Sequence, residues 1–251
     1  MAYLESLLHF LEEVLDLSDF PDYSNALNGL QVGGPEEIRT VAAAVDASEE
    51  TILEAVERGA QLLLVHHGLF WDGLGPLTGP RLRKVKALIQ GRLALFSAHL
   101  PLDAHPEVGN CALLTRALGL EPQGRFGSFQ GVEIGWWAHA GLGRRELEER
   151  FREAVEGPVR LIPGGGETVE RVGVLTGGGA STLREAEAAG LDAVITGEAA
   201  HQHYHEALER RVNLYLGGHY ATETFGVKAL ARRLAEEFDL EWEFIHVPTG
   251  F

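Results

Sequence analysis

Residues 62–71 read Leu62-Leu63-Leu64-Val65-His66-His67-Gly68-Leu69-Phe70-Trp71, four aliphatic side chains followed by two histidines. Four consecutive aliphatic residues predict a strand that is buried on both faces and therefore lies in the middle of a sheet. In open α/β sheets, ligands bind at the carboxyl ends of the strands, where this histidine pair lies. Successive strand residues point to opposite faces, so both imidazoles reach one site only if the chain leaves the strand there, and Gly68 allows such a bend. Two ordinary hydrogen-bonded histidines are the alternative interpretation.

The composition limits the function classes that the chain can belong to. Of its 251 residues, 45% are hydrophobic, enough for the core of one large or two small domains. The formal charge of −16 argues against nucleic acid as a general partner, because phosphate binding needs a basic face. The single cysteine, Cys111, cannot form an internal disulfide, and no apolar run reaches membrane-spanning length. Since the helical pattern over 3–15 is not that of a signal peptide, we expect a cytoplasmic protein without membrane contact.

Two stretches of the sequence share a pattern of strand, helix, glycine, strand and polar pair. The first has a predicted strand at 40–45, a helix with Ser48 as its N-cap, and the histidine strand. The second has a strand at 172–176, a helix at 181–189 and a strand at 193–196. Aligning Gly59 with Gly190 places the histidine pair on Gly197-Glu198. Each stretch is a βαβ unit with parallel strands. We therefore predict an α/β fold of two similar α/β domains, with sheets flanked by helices and an active-site cleft between the domains.

The first predicted domain is discontinuous and comprises residues 1–125 and 215–251, and the second comprises residues 126–214. The boundary near 125 is placed in the segment 121–130, which contains proline and glycine. A Gly/Pro loop is predicted at 72–80. The segment 100–103 is expected not to form a regular helix, because the ring of Pro101 clashes with a preceding helical turn. One long helix is predicted over about 221–238.

Eight polar residues with metal-binding or acid–base side chains lie just after predicted strands. They are His66, His67, His99, Asp103, Glu198, His201, His219 and Glu223. His219 and Glu223 are four residues apart, so both can lie on one face of a helix. Three imidazoles and two carboxylates exceed what one tetrahedral zinc takes and suit two metals about 3.5–4 Å apart. The spacing favours a metal site, and zinc, manganese, iron and cobalt all accept such mixed N/O ligands.

Four motifs in this order resemble the Nif-three-like (NIF3-like) family, whose members are often called type 2 GTP cyclohydrolase I homologues. The motifs are His66-His67-Gly68 with Trp71, Ala98-His99-Leu100-Pro101-Leu102-Asp103, Thr196-Gly197-Glu198 with His201, and Gly218-His219 with Glu223. The resemblance implies a dinuclear metal site carried by His66, His67, Asp103, His219 and Glu223. It also implies two similar α/β domains and a homohexameric ring. The family often has threonine and asparagine where this chain has Leu100-Pro101, which leaves Asp103 in place.

Three further residues have alternative roles. His99 either orients a metal ligand or binds as an outer ligand, and a plain structural histidine is the other interpretation. Glu198 and His201 are candidates for the general base or for substrate contacts, and a charge pair at a helix N-terminus is the alternative. In the run 201–205, His201 and His205 share a helix face while His203 points away, so a solvated surface is favoured over a metal tract.

The leading functional hypothesis is a cytoplasmic, dinuclear metal-dependent hydrolase with a small-molecule substrate. If the family name describes the activity, the substrate resembles GTP, and C8 of the purine is released as formate. The alternative is a metal-binding adaptor protein that acts through its ring without turnover. If the protein is an enzyme, His67→Ala should lose activity while the fold stays intact. If it is an adaptor, removal of the metal should change assembly and nothing else.

Overall fold

A computed structural model describes residues 1–71, 73 and 75–251 of the chain. The described residues divide into two compact units, the first comprising Met1–Leu102 and Gly226–Val247 and the second Asp103–Phe225 and Pro248–Phe251. The domain boundaries expected at 125/126 and 214/215 both lie inside the second of these units. The predicted loop at 72–80 includes residues 72 and 74, which lie outside the described part of the chain.

The secondary structure alternates between strands and helices along most of the chain. The strands are β1 (Ala2–Tyr3), β2 (Gly29–Val32), β3 (Glu37–Ile38), β4 (Thr40–Asp46), β5 (Leu62–His67), β6 (Ala94–Ser97), β7 (Pro122–Phe129), β8 (Val132–Gly143), β9 (Arg160–Ile162), β10 (Thr168–Val174), β11 (Ala193–Thr196), β12 (Asn213–Leu216) and β13 (Glu241–Phe244). The α-helices are α1 (Leu4–Leu15), α2 (Glu49–Glu57), α3 (Gly79–Gly91), α4 (Leu100–Ala104), α5 (Asn110–Ala117), α6 (Arg144–Val155), α7 (Leu183–Ala188), α8 (Gln202–Arg210), α9 (His219–Thr222) and α10 (Thr224–Phe238). Within the described ranges, no helix combines the length and the apolar character needed to cross a membrane.

The main sheet of the first unit has the strand order β13-β4-β5-β6-β2. The four strands β13, β4, β5 and β6 are parallel, and β2 pairs antiparallel with β6 at the edge. The histidine strand β5 is in the middle, and Leu62 to Val65 are all buried, as predicted. The helix between β4 and β5 begins where predicted, because the Ser48 hydroxyl accepts a hydrogen bond from the Thr51 backbone N–H at 3.0 Å. The first predicted βαβ unit is therefore confirmed.

Helices cover this sheet with apolar faces that the sequence spacing already shows. On α1, Leu7, Leu11 and Leu15 recur every four residues and are buried. On α2, Ile52 and Ala55 are fully buried in the cluster that also contains alternate residues of β4 and β5. Burying one such leucine or isoleucine contributes about 1.5–3 kcal/mol. The apolar cores of the sheet and its helices thus hold β5 in a fixed position, with the histidines at its end.

The sheet of the second unit has the strand order β7-β8-β10-β11-β12-β9. Strands β10, β11 and β12 are parallel, which confirms the second predicted βαβ unit, and the outer strands pair antiparallel. Most of the segment 121–130, which contains proline and glycine, forms the edge strand β7, which pairs with β8. Phe151 of α6 is fully buried in the core of this unit.

One helical prediction was wrong, and a second was right for most of its length. The segment around Pro101 forms the short helix α4, in which proline is the second residue. The N–H groups of a first helical turn have no intrahelical acceptor, so the missing N–H of proline costs nothing there. The long helix predicted over 221–238 is interrupted at Glu223 (φ −104°, ψ 6°), which separates α9 from α10.

Cys111 on α5 provides a test of the core of the second unit. Its thiol is fully buried, 3.6 Å from the Thr176 hydroxyl, and burial together with the charge of Asp103 raises the pKa of Cys111 to about 12. Since thiolate is the reactive form, we expect no labelling of the native protein by an aromatic disulfide reagent at pH 8. After unfolding in guanidinium chloride, one thiol per chain reacts. Rapid labelling of the folded protein would contradict this packing.

Candidate metal centre

The histidine pair at the end of β5 is held by acceptors on the neighbouring strands. His66 is fully buried, and its Nδ1 lies 2.9 Å from the carbonyl oxygen of Ala98, just after β6. The Nδ1 of His67 lies 2.8 Å from the Asp46 carboxylate at the end of β4. A carbonyl or carboxylate oxygen accepts here, so Nδ1 carries the hydrogen in both rings and Nε2 is the basic nitrogen. The ring centroids of the two histidines are 4.7 Å apart, and β5 ends at His67 as the shared-site interpretation requires.

Gly68 follows the last residue of β5, so the chain leaves the strand where the sequence predicted. It does not have a positive φ, and a Cβ at this position would lie 2.2 Å from the side-chain amide nitrogen of Gln31. The oxygen of the same amide accepts a hydrogen bond from the Leu69 backbone N–H at 2.7 Å. Glycine is needed here for the close approach of Gln31, which holds the chain after the histidines.

His99 is anchored in the same way by a residue of the polar loop before β2. Its Nδ1 lies 2.9 Å from Asp22 Oδ1, and its backbone N–H donates to Asn28 Oδ1 at 2.8 Å. Burial raises the pKa of Asp22, but the hydrogen bond and charge of His99, together with Asn28, outweigh burial and hold that pKa below its usual range. Asp22 therefore stays ionised and fixes the His99 ring with Nε2 as the basic nitrogen.

The first unit thus gathers three imidazoles. Ligand atoms of His66, His67 and His99 lie within 4.8 Å of one another, close enough to hold a metal ion. The indole of Trp71 packs edge-on against His99, with ring centroids 4.7 Å apart. The Trp71 ring and the oxygen atoms that accept hydrogen bonds from the three Nδ1 atoms restrict the rotation of the imidazole rings. Metal sites in proteins orient their histidine ligands by hydrogen bonds of this kind.

Asp103 in the second unit is oriented by two donors. The Asn110 side-chain amide and the Thr176 hydroxyl donate to Asp103 Oδ1 at 2.8 and 2.9 Å. A carboxylate oxygen of Asp103 also lies within 4.8 Å of one of Glu223. Both carboxylates are buried, with 5% and 2% of their surface exposed. Two ionised carboxylates this close repel each other in a buried site, so a cation there would stabilise both.

His219 begins α9, and each of its ring nitrogens meets a carboxylate. Nδ1 lies 3.0 Å from Glu198 Oε1, and Nε2 lies 3.1 Å from Glu223 Oε1. Burial lowers the pKa of His219, but the hydrogen bonds and charges of Glu223 and Glu198 outweigh burial and raise the pKa to about 9. The second unit therefore gathers Asp103, His219 and Glu223 into an electronegative cluster.

The remaining predicted residues have separate positions. Glu198 contacts His219, and His99 lies in the first cluster, whereas His201 is exposed with its ring centroid 6.0 Å from that of His205. The Nδ1 of His203 accepts a hydrogen bond from the Ala200 backbone N–H at 3.1 Å. His201 and His205 therefore share a helix face and His203 does not, as the spacing predicted.

Asp22, Asn28 and Asp46 were not identified from the sequence. A signal was present for Asp46, because it ends a buried strand as the histidines do. Asp22 and Asn28 lie in a polar loop, far along the chain from His99, and nothing in the local pattern indicates their partner.

The anchoring of His67 can be tested by Asp46→Asn. Removing the charged acceptor weakens the orientation and basicity of the imidazole, and changes of this kind lower metal affinity about 10–100-fold. The measurement is competition for zinc against a fluorescent chelator. The exposed Asp19→Asn is the matched control and should bind like the wild type. Unchanged affinity in Asp46→Asn would show that the anchor does not serve metal binding.

The chain is similar to proteins of one family over nearly its whole length. The model of the Duf34/NIF3 (NGG1p interacting factor 3) family matches residues 2–249. A relative from Deinococcus radiodurans, named GTP cyclohydrolase 1 type 2 homolog, is 46% identical over 98% of this chain and 94% of its own length. A relative of the same name from Archaeoglobus fulgidus is 42% identical over 98% of this chain and 99% of its own. The crystal structure of TTHA1606 from Thermus thermophilus has a TM-score of 0.91 and 39% identity, covering 99% of this chain and all of that chain (100%).

Proposed function

The chain belongs to the Duf34/NIF3 (NGG1p interacting factor 3) family, as its motifs predicted, and from this we propose that it is a dinuclear metal-dependent hydrolase. The proposed metal ligands are His66, His67, Asp103, His219 and Glu223, and His99 either orients them or binds as an outer ligand. The observation that carries the proposal is the anchoring of Nδ1 of His66, His67 and His99 by oxygen acceptors, which leaves Nε2 of each ring as the nitrogen for a metal.

The donor set fits divalent transition metals. Imidazole nitrogens and carboxylate oxygens bind zinc, manganese, iron and cobalt. The buried carboxylates of Asp103 and Glu223 supply negative charge that such cations would balance. When bound, two such metals lower the pKa of water enough to supply a nucleophile near neutral pH.

Residues around the proposed ligands would orient the ligand side chains and accept or donate protons. Glu198 accepts from Nδ1 of His219 and so positions that imidazole, and it is also a proposed proton acceptor because about half of its side chain (49%) is exposed. His201 remains the second proposed proton carrier, on the segment that directly follows Glu198. Thr176 and Asn110 hold Asp103 Oδ1 in place.

The substrate that we propose is GTP or a related purine nucleotide. The relatives' shared name, GTP cyclohydrolase 1 type 2 homolog, supports this class. Hydrolysis would open the imidazole ring of the purine at C8 and release that carbon as formate. We also propose that the protein is cytoplasmic and forms a homohexamer. Analytical ultracentrifugation tests the assembly, and a monomeric mass would exclude the hexameric ring.

Formate release from GTP tests the proposed reaction. Untagged protein is stripped with a chelator, reloaded with zinc or manganese, and assayed by a formate dehydrogenase-coupled reaction. We expect formate from the reloaded protein and none from the stripped protein. Formate at the same rate without metal would overturn metal dependence. If protein that holds two metals per chain releases no formate, GTP cyclohydrolysis is excluded. A change of assembly after the metal is stripped would then favour the adaptor function.

A further inference from the structure

A groove of about 350 Å³ lies at the carboxyl ends of β11 and β12 in the second unit. It is lined by Arg160, Ile162, Ala199, Ala200, His201, Tyr204, His205 and Leu216. Ala199 directly follows Glu198 along the chain, and Leu216 precedes the Gly217-Gly218-His219 segment. The groove is therefore built on the same two loops that carry Glu198 and His219, at the edge of the sheet where α/β proteins bind ligands.

The charge of this groove is opposite to that of the whole chain. Arg160 contributes a guanidinium, while none of the described lining residues is a carboxylate, in a chain of formal charge −16. Some arginines of this unit are paired with carboxylates, as Arg144 is with Glu167 and Arg210 with Glu187. Within the described part of the chain Arg160 has no such carboxylate partner, and it is exposed. A planar guanidinium with five donors suits an anion with several oxygens, such as a phosphate.

The backbone of Arg160 has a defined position beside another lining residue of the groove. Arg160 is the first residue of β9 and pairs in register with Leu216, the last residue of β12. His201 stands at the N-terminal end of α8, and its side chain makes no hydrogen bond that caps the helix. The positive end of the dipole of this nine-residue helix adds to the attraction for an anion.

The remaining lining residues suit a planar ring. Ile162 is buried, and together with Leu216 and Ala199 it gives the groove an apolar part. Tyr204 is 41% exposed, and its ring stands perpendicular to that of His205, with centroids 5.3 Å apart. An exposed tyrosine beside an apolar surface offers a face on which an aromatic ring can stack.

We propose that this groove binds a phosphorylated aromatic molecule, with the phosphate at Arg160 and the ring against Tyr204. One part of this proposal rests on the proposed function: that the bound molecule is the substrate of the neighbouring metal centre. Binding itself requires neither metal nor turnover, so that a failed formate assay leaves it standing.

Isothermal titration with four probes tests the groove on the full chain, both metal-loaded and stripped. The probes are GMP, phenyl phosphate, guanosine and inorganic phosphate. We expect GMP to bind at least tenfold more tightly than guanosine or inorganic phosphate, with or without metal. Phenyl phosphate binding as tightly as GMP would identify a general aromatic phosphate, and GMP binding more tightly would identify a nucleotide. Either result supports the proposal.

Two variants test the phosphate contact and the ring contact of the groove separately. Arg160→Gln should weaken GMP and inorganic phosphate at least tenfold and leave guanosine unchanged, whereas Tyr204→Leu should weaken GMP and guanosine and leave inorganic phosphate unchanged. The exposed Arg184→Gln is the matched control and should bind like the wild type. Equal GMP affinity in the wild type and Arg160→Gln, or GMP binding that disappears when metal is stripped, would overturn the proposal.

Discussion

His67→Ala is expected to remove bound metal and abolish hydrolysis while the protein remains folded. His67 is a proposed ligand whose Nδ1 is fixed by Asp46 and whose ring lies among those of His66 and His99. Changing a residue that merely orients a ligand costs about 10–100-fold in metal affinity or activity, so removing the ligand itself should cost at least about 100-fold. Elemental analysis of purified protein and the formate assay measure the two losses.

The matched control is His9→Ala, because His9 is an exposed histidine on α1, with 74% of its side chain accessible. The control should keep the metal content and the rate of the wild type. Unfolding by guanidinium chloride compares the stability of both variants without metal, where His67→Ala should differ little because Asp46 is left partly exposed to water. Full metal content and an unchanged rate in His67→Ala would eliminate His67 as a ligand.

Gly177→Ala is expected to displace Glu223 and to destabilise the second unit. Gly177 has φ +59°, where an L side chain costs about 1–2 kcal/mol. Its added Cβ would lie 2.2 Å from Glu223 Oε1 and 3.2 Å from His219 Nε2. The Glu223 carboxylate must therefore move and lose its contact with His219. We expect a lower melting temperature and at least tenfold weaker zinc binding.

Gly178→Ala is the matched control for this prediction. Gly178 is the next residue along the chain but has φ −89°, and its Cβ would meet only Glu198 Oε1 at 4.0 Å. This variant should melt and bind zinc like the wild type. If the two alanine variants behaved alike, the close contact of Gly177 with the Glu223 carboxylate would have no functional consequence.

Local pattern was sufficient to predict much of the fold. The four aliphatic residues of β5 are buried in the centre of a parallel sheet, and Ser48 caps α2 as its sequence position indicated. The two βαβ units have the predicted parallel strands. These predictions succeed because burial periodicity and helix capping depend on residues close together in the sequence.

Local pattern was insufficient where the exact position of a helix boundary, or a distant contact, determines the conformation. Pro101 is accommodated because it falls in the first turn of α4, and the helix after His219 is interrupted at Glu223, whose carboxylate contacts that histidine. At Gly68 local pattern indicated where the chain leaves β5 but not the close approach of the Gln31 side chain from β2. Residue spacing does not specify the exact helix boundaries or the approach of Gln31 to Gly68.

The sequence by itself determined the fold class, the family motifs and which side chains follow the buried strands. Only the tertiary structure decided how these side chains are oriented: Asp46 and Asp22 hold His67 and His99, and Glu198 holds His219. The partners of the first two are 21 and 77 residues away along the chain, and that of the third is 21 residues away. Hydrogen bonds across such separations exist only after the strands and loops have packed, so no local pattern can specify them.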